Sequence, residues 1–175
     1  MAIVPDTKNW TWVLQRRCPE CGYDAVTTTR AAVPQLIRDN AAAWRAALAS
    51  RNAADLRTRT RDDRWSDIEY ACHVRDVFRI FDQRLVMMLE QDDPAFPNWD
   101  QDATATAERY QDQDPGVVAS QLAKAADRMA SRFAALTPEQ WERTGARGDG
   151  ARFSVDSFAR YLIHDPVHHL HDVGA

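Results

Sequence analysis

"WSDIEYACHVRDVFRIFDQRLVMMLEQ" (residues 65–91) decides how this chain folds. Ser66 and Glu69 stand three residues apart at its start, the spacing of a capping box, in which the serine hydroxyl and the glutamate carboxylate each satisfy a free backbone N–H. Ile68, Cys72, Phe78, Phe81, Leu85, Met88 and Leu89 then form a broad apolar face at helical spacing, until Asp92, Asp93 and Pro94 stop it. So long a helix with so wide an apolar face needs other helices to cover it, which makes it the central element.

The covering helices are legible on either side. "VPQLIRDNAAAWRAALAS" (33–50) has Pro34 near its first turn, then Leu36, Ile37, Trp44, Ala47 and Leu48 on one side. Asp114 and Pro115 are an N-cap and first-turn pair for 116–136, whose face carries Val118, Leu122, Ala125, Met129, Phe133 and Leu136. Thr137, Pro138 and Gln140 predict a short capped turn that buries Trp141, and a last helix starts at Ser154 with Val155, Phe158, Tyr161 and Leu162. No segment alternates convincingly enough to be a strand, so the reading is an all-α four-helix bundle, with a long crossover loop over 50–64. The chain is taken as a single domain, 1–175, made of an N-terminal extension (1–29) and the helical bundle (30–172).

Composition narrows the function classes. Nearly half the residues are apolar and about a quarter charged, the balance of a globular protein, and no apolar run approaches the ~20 residues of a membrane helix. A net charge of −4 argues against a general grip on nucleic acid, and the arginines of "RTRTRDDR" (57–64) are followed by Asp62 and Asp63, as in a solvated loop. The opening "MAIVPDTKNWTWVL" lacks the basic start and apolar stretch of a signal peptide, and three cysteines are an odd number for an exported protein; both predict a cytoplasmic location. "RGD" (147–149), among glycines 145, 148 and 150, is read as a turn rather than an adhesion motif.

Chemistry concentrates in "YLIHDPVHHLHDV" (161–173), which holds four of the five histidines. On a continuous helix His164, His168 and His171 fall within about 60° of arc, whereas His169 points away. His164 and His168 could therefore share one ion. The fifth histidine, His73, lies on the long helix beside Glu69, Val77 and Ile80, with Asp76 as a candidate to orient it and Tyr70 nearby. Pro166 sits between the two tail ligands, where the helix either kinks or ends and restarts with Asp165 as N-cap.

"RWSDIEYACHVRDVF" (64–78) followed by "YLIHDPVHHLHDV" resembles the DinB/YfiT-like superfamily, with W-S-x-x-E…H on the second helix and H-x-x-x-H on the last. The resemblance spans residues 30–172 and implies a bundle in which His73, His164 and His168 hold a divalent metal; three imidazoles suit zinc or nickel, and Glu69 and Asp76, near His73 in sequence, are the candidates to support it. His169 and His171 are then bystanders. It also implies a transferase that activates a low-molecular-weight thiol at the open metal position, or a hydrolase or isomerase that activates water there. The alanine- and arginine-rich, lysine-poor composition suggests a GC-rich genome, for which mycothiol is the first thiol to consider. A small-molecule substrate and a homodimer are expected with this family. The rival of another class is a binding protein that keeps its metal and uses the acidic "DDPAFPNWDQD" loop (92–102), with Phe96 and Trp99, as a contact surface or lid.

"CPECG" (18–22) stands outside that scheme. A lone C-x-x-C is half a zinc knuckle; with no second pair in the chain, a turn closed by Gly22 or a redox-sensitive dithiol is preferred to zinc, and a mixed site with the tail histidines stays open.

Overall fold

The computed structural model describes residues 10–61 and 63–175. The opening nine residues and Asp62 lie outside it, and with them most of the N-terminal stretch read for a signal. Four long helices build the bundle: α1 (Val33–Ala49), α3 (Asp67–Glu90), α5 (Pro115–Ala134) and α7 (Val155–Asp172). Three short ones, α2 (Ala53–Leu56), α4 (Gln101–Ala107) and α6 (Pro138–Trp141), lie in the connections. Among these helices none is long and apolar enough to cross a membrane.

The starts of the helices follow their local sequence. Glu69 accepts from the Ser66 backbone N–H (2.9 Å) and hydroxyl (2.7 Å) at the head of α3, where Arg59 also pairs with it. Asp114 accepts from the Val117 N–H at 2.8 Å to open α5, and Ser154 and Ser157 cap α7 reciprocally. Each such cap stabilises its helix by about 1 kcal/mol.

Packing then sets the order around the bundle. α1 and α3 each pack against both α5 and α7, so α1 and α3 face each other across the diagonal and the link over 50–66 crosses the bundle end. Trp44, Phe78, Leu85, Leu122, Phe133 and Phe158 are buried in the shared core, each contributing on the order of 2 kcal/mol. Pro166 neither breaks nor restarts α7, which runs through it. Its carbonyl accepts from Trp44 Nε1 at 3.3 Å, a buried bond that ties α7 to α1.

The expectation of no strands is corrected. β1 (Ala95–Phe96) pairs in parallel with β2 (Thr144–Arg147), which pairs antiparallel with β3 (Arg152–Ser154). Strands of two to four residues are too short to show alternation in sequence. The sheet joins the end of α3 to the start of α7, and Gly145 lets it approach: a Cβ there would meet Met88 Cγ at 2.9 Å. "RGD" is the tip of the β2–β3 hairpin, with Arg147 paired to Asp149 at 2.7 Å.

Candidate metal centre

Because α3 and α7 are adjacent and antiparallel, the first turns of one meet the last turns of the other. His73 is fully buried there, with its ring stacked on Trp99 (centroids 5.1 Å, planes 5° apart) and packed against Trp65 at 5.1 Å. Its Nε2 lies 3.3 Å from Asp165 Oδ1, and the His169 ring stands 5.0 Å away, edge-on. His169 Nε2 is 3.8 Å from the same carboxylate oxygen. One donor atom from each of His73, Asp165 and His169 falls within 4.8 Å of the others.

The structure therefore does not bring His73, His164 and His168 together as one set. His164 and His168 gather instead with Cys18 and Cys21, again with all donor atoms within 4.8 Å. The reason is the pitch of α7: Asp165 and His169 repeat the four-residue spacing of His164 and His168 one position along, about 100° round the helix. The first pair faces α3 and the second faces the N-terminal segment. His169, read from sequence as a bystander, stands in the cluster with His73 and Asp165, while His171 is exposed.

The supporting residues also change. Glu69 is engaged by Ser66 and Arg59. Asp76 binds Arg75 (2.7 Å), Arg79 (3.0 Å) and the Tyr110 hydroxyl (2.6 Å), with His73 not among its hydrogen-bond partners. A carboxylate stands beside His169 instead: Asp172 Oδ2 lies 2.9 Å from His169 Nδ1, and a proton held there on Nδ1 would make Nε2, on the side of Asp165, the nitrogen that could hold a cation. Tyr70 packs its ring on His169 at 4.7 Å. Asp172 could have been found from the i, i+3 spacing to His169, had His169 been taken as a ligand.

The electrostatics suit neutral imidazoles. Burial, reinforced by the His168 charge, pushes the His164 pKa down to about 4, so the ring is neutral at physiological pH. Burial also lowers His168, against the pull of Asp172. Burial alone would raise Asp172, but its bond to His169 and the neighbouring charges hold it below the usual carboxylate range. Cys72 is apart from this cluster, its thiol pushed up to about 12 by burial in the bundle core.

Two features fit the arrangement to a cation. Both ring nitrogens of His73 and Oδ1 of Asp165 are buried without a hydrogen-bond partner. Such orphans cost about 1–3 kcal/mol each, and an ion bound through His73 Nε2 and Asp165 Oδ1 would remove that cost at those two atoms. Two imidazoles and one carboxylate are moreover a donor set of catalytic zinc and non-haem iron sites, which keep positions open. Asp165 and His169 line a cavity of about 630 Å³, bounded also by Trp65, Trp99, Arg61 and Arg64.

The profile of the DinB superfamily matches residues 35–173, which take in α1 from its third residue, all of α3, α5 and α7, and both groups of α7 donors. The chain belongs to the DinB superfamily. Among solved structures, YfiT from Bacillus subtilis, described as a probable metal-dependent hydrolase with an unusual four-helix bundle topology, superposes with a TM-score of 0.75 at 19% identity, over 83% of this chain and 85% of its own. That likeness concerns the DinB fold. None of the curated proteins shows significant sequence similarity to the chain.

Proposed function

We propose that this DinB protein is a metal-dependent transferase acting on a low-molecular-weight thiol, mycothiol first among them, with a divalent ion held by His73, Asp165 and His169. The observation that carries the reading is the set of buried, unpartnered donor atoms on His73 and Asp165 beside an open cavity. A divalent ion with three protein donors supplies an open position at which a thiol or water loses its proton near neutral pH.

The chain's own residues support that use. Asp172 orients His169, and Trp65 and Trp99 shield the His73 ring from water. The cavity wall mixes aromatic faces (Trp10, Trp65, Trp99) with carboxylates (Glu20, Asp100, Asp102). Aromatic faces that stack on rings, acids that accept from hydroxyls and the guanidiniums of Arg61 and Arg64 that donate to them suit a polyhydroxylated ligand, as a sugar-bearing thiol such as mycothiol would be. A second reading, hydrolysis with water as nucleophile, is favoured by the description of YfiT.

Turnover of monochlorobimane with a panel of thiols, in native protein and in His73→Ala and His169→Ala variants, decides between them. Metal-dependent consumption of a thiol, lost in both variants, is the expected result. Full metal loading with no thiol consumed overturns the transferase reading; ester or amide cleavage by the same sample would then establish the hydrolase. Unchanged metal content in both variants overturns the ligand set.

A further inference from the structure

We infer that Cys18, Cys21, His164 and His168 form a second metal site, a closed tetrahedral one for zinc, which clamps the N-terminal segment onto α7. The spacing is C-x₂-C with H-x₃-H, within the range of structural Cys₂His₂ zinc sites. What the sequence leaves 143 positions apart, Cys21 and His164, the fold closes: one donor atom from each of the four residues lies within 4.8 Å of the rest. Bond lengths of ~2.3 Å to sulfur and ~2.0 Å to nitrogen place tetrahedral ligands about 3.3–3.8 Å from one another. Cys18 Sγ and His168 Nδ1 are 3.7 Å apart.

The turn is shaped for this purpose. Gly22 N–H donates to Cys18 O (3.0 Å) and Cys18 N–H to Tyr23 O (2.8 Å), while Gly22 takes φ +76°, a conformation costly for other residues. This closes the knuckle that carries both sulfurs. Cys18, His164 and His168 are at most 7% exposed, and His164 Nε2 is buried without a hydrogen-bond partner, an orphan that a cation would satisfy. Four protein donors leave no open position, so the ion here is structural, in contrast to the three-donor centre one helix face away.

The two centres are joined through α7. Asp172 Oδ2 hydrogen-bonds His169 Nδ1 at 2.9 Å and stands 4.0 Å from His168 Nε2, whose nearer carboxylate is Glu20 Oε2 at 3.5 Å. The clamped segment also supplies cavity wall: Trp10 packs on His164 (5.3 Å) and His168 (5.0 Å), and with Glu20 it lines the substrate cavity. Losing the clamp removes that wall.

The test is cobalt substitution and metal counting on the full chain. Native protein is expected to hold about two divalent ions and, with cobalt, to show a thiolate-to-metal charge-transfer band and the intense visible absorption of a tetrahedral ion. Cys18→Ser and Cys21→Ser should lose that band and one ion, whereas His73→Ala should lose the other ion and keep the band. Should the cysteine variants fail to fold, X-ray absorption of the zinc-loaded native protein must show a sulfur shell at ~2.3 Å. A sulfur-free metal shell, or Cys18 and Cys21 both alkylated at the same rate in the native metal-loaded protein as after chelation, overturns the site. Failure of the His73 variants to lose metal would instead sink the ligand set of the catalytic reading and leave the sulfur shell untouched.

Discussion

Replacing Tyr110 by Phe deletes one hydroxyl that donates to Asp76 Oδ2 at 2.6 Å, deep between α3 and the segment before α5. Asp76 is 8% exposed and Arg75 3%, so water replaces the lost bond poorly. A hydrogen bond to a charged group contributes about 1.5–3 kcal/mol, which for a chain of this size lowers Tm by about 3–12 °C. Asp76→Ala goes further, because it leaves the Arg75 guanidinium buried without its carboxylate, at a cost of about 3–5 kcal/mol. The lower end applies, since Arg75 keeps bonds to Gln113 (2.6 Å) and Gln121 (3.1 Å). Burial would raise the Asp76 pKa, but Arg75, Tyr110 and Arg79 hold it below the ordinary value. A depressed folded-state pKa means the stabilisation is complete above the unfolded value of about 4 and fades as pH falls through the folded one, so the Tm gap between native protein and Asp76→Asn should shrink in acid. Differential scanning calorimetry against pH, with metal content on the same samples, measures both. The metal should be unaffected, since Asp76 is not a hydrogen-bond partner of His73. Native-like melting of Tyr110→Phe together with loss of metal would refute the assignment and put Asp76 back beside His73.

Other substitutions probe the neighbouring contacts. Trp44→Phe forfeits the indole bond to the Pro166 carbonyl and part of a buried side chain, and should cost about 1–3 kcal/mol in chemical denaturation, with metal content retained. Gly145→Ala drives a Cβ to 2.9 Å from Met88 and 3.0 Å from Phe96, and overpacking of about 1–3 kcal/mol should appear as a lower urea midpoint; an unchanged midpoint would mean the sheet yields. Trp99→Ala uncovers the His73 ring, so metal should leave faster in a chelator-exchange assay while equilibrium content in excess metal stays native; unchanged release would deny Trp99 its shielding role.

Much of the fold was legible because its signals are local. The Ser66–Glu69 box, Asp114 before Pro115 and the Thr137–Gln140 pair act within one turn of backbone, and each marks an observed helix start. The small sheet was not legible, since β1 finds its parallel partner β2 some fifty residues on and neither strand is long enough to alternate. Pro166 misled in the same way: the sequence carries the missing N–H, while the packing that keeps α7 continuous, including Trp44 against its carbonyl, comes from another helix.

The sequence alone determined that α3 carries one histidine and that α7 carries candidate donors four residues apart. It could not determine which pair is used where, because His164/His168 and Asp165/His169 satisfy the same i, i+4 geometry on faces about 100° apart. That choice rests on how α7 is rotated against its neighbours, a matter of ridge-and-groove packing with α1 and α3. Tertiary structure turned Asp165 and His169 towards His73 and left His164 and His168 for Cys18 and Cys21. The C-x-x-C that looked incomplete as sequence found its remaining donors only when the bundle closed.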